Sequence, residues 1–458
     1  MITVNKALLK ILQSLFYIFP VCFIFGNLTI NLALISIILV GFIYYKKNIL
    51  KDFNKKILFL FVSFFIVVLL SSYINYFFIE ANKDAIKSIL YLRYLLFLFV
   101  IRALIINRHI NINYFLSICF LLSFLIALDI LIQSLIGKNI IGNNIIEFPG
   151  GIKYHTGVFG NELIAGSFLL TFSTIGIFSI FNLLKIEKKL INLIIFFTLI
   201  LFFLISILLS GNRMPLLMFL IFLVFLGLIY KKKEKLYFFS FATIVSILLS
   251  FLIINSENLI KRAGNFIVGI PNPIIIIEEL KKEYPNLKKY ESSGIQFHNL
   301  EEFKSTKNSK VYPFFTGHLP IYITSIDLFL DKPIVGGGIK SFRNNCHNKI
   351  HLPNRVCENH PHNYILEILN DTGLIGLTII FCIVTYLLLN NYKDYKFSEP
   401  EKSKISNWIY LAIILSILTQ FFPFKSTGSF FSTFNSSFIF LILGISIGLN
   451  DLKYEKRP

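Results

Sequence analysis

The stretch CENHPHNYILEILNDTGLIGL, running from Cys357 to Leu377, sets His360, His362 and Asn363 just ahead of a long apolar run. Imidazole is the side chain whose ordinary pKa lies nearest neutrality, so a neutral histidine here can take a proton from a hydroxyl. Ile365, Leu366, Ile368 and Leu369 recur with helical spacing, and Gly373 interrupts them. The expected helix carries His362 in its first turn, where the positive end of the helix dipole disfavours imidazolium. His362 is the candidate base, and His360, held by Pro361, is the second choice. Asn363 could orient either ring, bind substrate or simply cap the helix.

Two arginines stand where charge is expensive. Arg213, in SGNRMP, occupies a very short turn between two apolar runs. It either snorkels to the membrane surface or presents a guanidinium fork to an anion. Arg93, in SILYLRYLLFLFV, falls inside an apolar run, with Glu80 or Glu162 as conceivable partners. Glu162 could equally be a helix-start carboxylate. The triplet Gly336-Gly337-Gly338, followed by Ile339-Lys340, reads as a plain turn or as a place where backbone amides approach phosphate.

These groups have to be placed by a very apolar chain. Its 458 residues are 55% hydrophobic and include 51 phenylalanines, with a mean hydropathy of +0.71. A soluble core could not hide that much apolar surface, so the chain is expected to be an all-α integral membrane protein. About twelve spans are expected, near 7–25, 28–45, 57–79, 85–106, 112–136, 161–184, 190–209, 214–230, 236–255, 373–390, 406–422 and 430–449. The first lacks a small-residue cleavage site and is expected to stay as a helix. Alternate connections carry about 22 basic residues against about five, which places both termini in the cytoplasm. This pattern accounts for the net charge of +19 without nucleic acid.

One connection, of about a hundred residues up to His362, is far longer than a plain loop, which marks it as functional. The chain therefore divides into a bundle at 1–255, an outer loop at 256–372 and a second bundle at 373–458. Within the loop, the EELKKEYPNLKKYE run reads as a solvated segment. Cys346 and Cys357 both fall in the loop, where an oxidising compartment permits a bridge. It would close about eleven residues and contribute on the order of 3 kcal/mol. Cys22, Cys119 and Cys382 sit in apolar runs, as packing groups.

A many-span protein with one large outer loop, ending in His-Asn before the next span, resembles the O-antigen ligase/polymerase family. The family pattern of His, then Asn, Ser or Gln, nine residues, Gly, two residues, and Gly, Thr or Tyr is met by His362, Asn363, Gly373 and Gly376. SGNRMP resembles the family's Ser-x-x-Arg turn. GHLPIYITSIDLFLDKPIVGGGIKSF resembles its Gly-Arg to Pro-x-x-Gly-x-Gly stretch, and GVFGNELIAGSF resembles a turn entering a middle span. One residue departs from the pattern: His318 stands where the family has a loop arginine, leaving Lys340 and Arg343 to replace its charge.

The resemblance implies a GT-C-like fold with a periplasmic loop, in a bacterial inner membrane. It implies transfer of a glycan from undecaprenyl diphosphate to an acceptor hydroxyl on lipid A core or on another lipid-linked glycan. No cofactor or metal is implied, because arginines neutralise the diphosphate directly. On this reading His362, His360 and Asn363 act at the acceptor hydroxyl. Arg213, Arg93, His318, Lys340 and Arg343 act on the diphosphate. Ligase is the first expectation and polymerase the alternative. A lipid-linked sugar flippase is weaker still, since no internal repeat is evident. A structural subunit would explain the loop but not Arg213.

Overall fold

A computed structural model describes residues 2–79, 85–148, 152–183, 189–229, 318–352, 355–397 and 406–454, together with Phe241 and Thr243. Apart from Phe241 and Thr243, the expected span at 236–255 lies outside the described residues, as does the charged run of the long connection. In chain order the helices are α1 (Ile2–Cys22), α2 (Asn27–Tyr45), α3 (Lys55–Ile79), α4 (Ala85–Tyr91), α5 (Arg93–Ile106), α6 (Ile112–Ile136), α7 (Ala165–Gly176), α8 (Ile180–Leu183), α9 (Lys189–Ser210) and α10 (Arg213–Ile229). There follow α11 (Leu319–Asp331), α12 (Ser341–Asn345), α13 (Tyr364–Phe397), α14 (Asn407–Gln420) and α15 (Thr433–Tyr454). Strands β1 (Ile146–Phe148) and β2 (Ile152–Tyr154) pair antiparallel, with Glu147 opposite Lys153.

Among the described residues, seven helices are long and apolar enough to cross a bilayer, and Ala165–Ser179, Arg213–Ile229 and Asn407–Gln420 are shorter apolar helices. The chain is a multi-pass membrane protein. Two expected boundaries move. Residues Gly157–Phe159 form a 3-10 turn with Gly157 and Gly160 at positive φ, so the span expected from 161 begins as a helix only at Ala165. The span expected from 373 starts earlier, at Tyr364, and Gly373 is a kink within it rather than its beginning.

Local sequence sets several of these ends. Asn111 accepts hydrogen bonds from the amides of Asn113 and Tyr114 at the start of α6, and Gly137 closes that helix in the left-handed region. The packed interior is aromatic. Phe16 and Phe19 of α1, and Phe23 just after it, meet Phe115, Phe97 and Phe172 in turn. α15 packs on α5, α13 on α3, and α14 on both α7 and α10.

The kink in α13 is where the segment before it in the chain docks. Gly373 adopts φ 65°, ψ −167°, and a Cβ there would strike the Ile334 carbonyl. Across the contact Gly336 adopts φ 71°, and its Cβ would meet the Thr372 and Gly373 amides. Only glycine allows two backbones to approach so closely in that conformation. Leu374 N then donates to Pro333 O at 2.8 Å. From α3, Ser72 Oγ accepts from Ile339 N at 3.0 Å and Asn75 donates to Gly336 O at 3.0 Å. The Asp371 carboxylate completes the seam by accepting from the Lys340 and Ser341 amides at 2.8 and 3.0 Å.

Candidate active site

The segment 357–363 runs over the head of α13 and ends in a strained residue. His362 has φ 54°, a left-handed conformation that a non-glycine residue keeps only when its surroundings enforce it. Asn363 follows as the cap: its Oδ1 accepts from Leu366 N at 3.1 Å. His362 therefore stands one residue before the cap, not in the first turn as its sequence position suggested. The Asn363 amide is committed as well, donating to Pro423 O at 2.7 Å and to Lys425 O at 3.4 Å. Both ends of its side chain serve the backbone, so Asn363 positions its neighbours rather than offering itself to substrate.

Three imidazoles gather here. The His362 ring lies 4.1 Å from that of His360 and 4.6 Å from that of His318, centroid to centroid. His318 arrives from the other side as the residue preceding α11, where Pro320 stands in the first turn. Tyr322, one turn on, stacks on His318 at 6.2 Å and hydrogen-bonds Ser426. Burial pushes that phenol up to about 12, so it remains a proton donor. The His360 Nε2 is buried and has no hydrogen-bond partner among the described residues.

The imidazoles are neutral for a reason the sequence did not supply. Burial lowers His362 to about 3, reinforced by repulsion from His360 and His318. His360 is lowered by burial, then by His318 and Lys340; His318 is lowered by burial, partly offset by Glu358. Desolvation and mutual repulsion do what the helix dipole was expected to do. A half-buried, unprotonated ring keeps a nitrogen lone pair free to meet a proton, while a value this low makes it a weak base as it stands.

The candidate cations differ in what they touch. Lys340, itself left-handed at φ 62°, acts electrostatically on His360 and lies beside the carboxylate of Asp371. Arg343 is exposed on the short α12. Arg93 stacks over Tyr94 at 4.8 Å and donates to its hydroxyl at 3.0 Å, while its Nε is buried with no hydrogen-bond partner among the described residues. Of the two carboxylates expected beside it, Glu162 is exposed and Glu80 lies outside the described residues. Tyr91, just before it, touches Phe431 and hydrogen-bonds Ser436 at 3.1 Å, which ties this helix to the connection after α14.

Arg213 opens α10. Its turn is fixed by Asn212, which donates to Leu163 O at 2.8 Å and accepts from Gly166 N at 3.0 Å. No hydrogen bond, ring contact or ion pair among the described residues joins Arg213 to the histidines. α10 does pack on α14, and Phe225 meets Phe422 at 6.3 Å, so it flanks the helix that feeds the connection 421–432.

The glycine triplet does not present free amides. Gly336, Gly337 and Gly338 donate to Lys332 O, Asn370 O and Asp371 O at 3.0, 2.7 and 2.9 Å. It is a docking turn, and the phosphate-cradle alternative is set aside. Cys346 and Cys357 are joined in a disulfide. Arg355, buried beside it in sequence, pairs with Asp327 at 2.7 Å and steadies the segment against α11.

Sequence reasoning missed the connection 421–432. Lys425 is 4% exposed. Its Nζ donates to Gln420 Oε1 at 2.6 Å and to Tyr364 OH at 3.1 Å, and sits 4.3 Å from the Tyr364 ring centre. Burial lowers this ammonium to about 7. Glu367 holds the other end, accepting from Ser429 Oγ at 2.6 Å and from the Phe430 amide. In sequence Lys425 was only one of the sparse outer basic residues.

A family model described as O-antigen ligase (Wzy_C) matches residues 197–381, a range that spans Arg213, His318, the glycine turn and the His-Asn motif. Over that range the chain is similar to the O-antigen ligase family. No curated protein matches it. The O-antigen ligase match ends before α14, so the connection stitched onto the His-Asn motif lies beyond the matched range.

Proposed function

We propose that this protein is a membrane glycosyltransferase acting on the outer face of a bacterial inner membrane, with both termini cytoplasmic. The donor is a glycan on undecaprenyl diphosphate and the acceptor is a hydroxyl of lipid A core. The acceptor oxygen bonds to the anomeric carbon as the bond from that carbon to the diphosphate breaks. His362 takes the hydroxyl proton, and undecaprenyl diphosphate leaves with the bonding electron pair. Arg213 and Arg93, with Lys340, stabilise the charge that grows on the diphosphate. His318, neutral where the family carries an arginine, stands against the base and leaves the phosphate charge to the other cations.

The observation that carries this reading is the neutral, half-buried His362 at the head of a membrane helix, inside the range similar to the O-antigen ligase family. Purified protein given lipid-linked oligosaccharide and acceptor, without ATP, should transfer the glycan. His362→Ala and Arg213→Ala should each abolish transfer while the protein still inserts and folds. Wild-type-like activity in both variants would sink the assignment. A polymerase joining two lipid-linked repeat units uses the same donor chemistry. In cells lacking the protein, long unattached chains indicate a ligase and single repeat units a polymerase.

A further inference from the structure

We propose that Lys425 is the residue that holds His362 in its working geometry, acting through Asn363 and Tyr364. The inference rests on the assignment of His362 as the base. Residues 362, 363 and 364 are consecutive: a left-handed histidine, the helix cap and the first helical residue. Residue 425 grips two of the three. Its carbonyl, together with that of Pro423, accepts from the Asn363 amide, and its ammonium bonds the Tyr364 hydroxyl.

The Lys425 ammonium is buried against neutral partners, Gln420 Oε1 and Tyr364 OH, and over the face of the Tyr364 ring. A buried lysine in such a setting is expensive for a role in folding alone, since an apolar residue of equal volume would fill the space as well. What an apolar residue could not do is fix the Tyr364 hydroxyl and the end of α14 to each other. That joint determines where α13 begins, and so where the strained residue before its cap is held. His362 keeps a positive φ only while both sides of it are fixed. One side is the segment tied down by the Cys346–Cys357 disulfide and the Arg355–Asp327 pair, and the other is the joint at Lys425. Lys425 is thus a positioning residue, and its influence should appear on the chemical step rather than on donor binding.

The test uses the full-length protein in detergent micelles, with Lys425→Met, Lys425→Gln and Tyr364→Phe. Lys425→Met should lower kcat at least tenfold, with KM for the lipid-linked donor within twofold of wild type and a similar thermal midpoint. Lys425→Gln keeps a donor for Tyr364 and should recover part of kcat. Diethyl pyrocarbonate, read by mass spectrometry, should label His362 faster in Lys425→Met, and to a smaller extent in Tyr364→Phe, because the ring is released. An unchanged kcat overturns the proposal, as does a raised KM with kcat preserved, which would make Lys425 a substrate contact. Loss of activity in step with the thermal midpoint, with His362 labelling unchanged and no recovery by Gln, would reduce Lys425 to a scaffold residue. If wild-type protein shows no transfer at all, the assignment of His362 fails, and the labelling comparison still decides whether Lys425 holds that ring.

Discussion

At the scale of the residue, the site depends on an imidazole that resists protonation. His362, at about 3, lies far below its ordinary value of 6.5. The acid limb of kcat/KM, which reports the free enzyme, should therefore show no inflection near 6.5 from this residue. A clear loss of kcat/KM around 6.5 that disappears in His318→Gln and His360→Gln variants would assign the titration to those neighbours instead. The same depression acts on stability. Between pH 6.5 and 3 the unfolded chain binds a proton at His362 that the folded chain refuses, so stability falls as pH drops through that window and levels off below it. Thermal unfolding in micelles should show a shallower acid decline for His362→Gln than for wild type across that window. An identical decline would mean that other groups govern acid lability.

At the scale of the element, α13 is two helices joined at Gly373, and the joint receives the turn that carries Lys340. Gly373→Ala places a Cβ against the Ile334 carbonyl in a left-handed backbone. The backbone strain alone should cost about 1–3 kcal/mol. The thermal midpoint should fall, and transfer should fall further, because Lys340 and the His-Asn segment are docked through the same seam. Full activity in the Gly373→Ala variant would show that the kink is not needed to place them. The helical spacing of Ile365 to Leu369 and the break at Gly373 were legible in the sequence. The start at Tyr364 was less so, because Asn363 caps the helix and His362 lies outside it. The demand for glycine at 336 could not be read at all, since it arises from a backbone 37 residues away along the chain.

At the scale of the whole molecule, a buried ion pair fastens two helices that lie far apart in the chain. Arg102 Nε meets Asp451 Oδ2 at 2.5 Å with both side chains almost wholly enclosed, and the guanidinium lies 4.1 Å from the Phe53 ring centre. The pair joins α5 to α15, and a further bond from Arg102 to Lys51 O reaches the connection before α3. Asp451→Ala should destabilise by about 3–5 kcal/mol, because it leaves a buried charge uncompensated. Arg102→Met with Asp451→Leu should recover most of that loss. Thermal melts of the single and double variants in micelles measure both. Equal destabilisation in the single and the double would mean that the pair contributes as packing volume only.

The sequence by itself determined that this chain crosses a membrane repeatedly, because apolar runs of bilayer length have no other way to satisfy their backbone. It also marked His362, Asn363 and Arg213, whose types and spacing are local facts. Tertiary structure alone decided that His318 meets His362, that Lys425 is buried against Tyr364 and Gln420, and that the Asn363 amide is spent on the connection 421–432. Those outcomes rest on contacts between segments about 40 to 60 residues apart. Burial, and with it every shift in proton affinity, belongs to the assembled environment rather than to the residue.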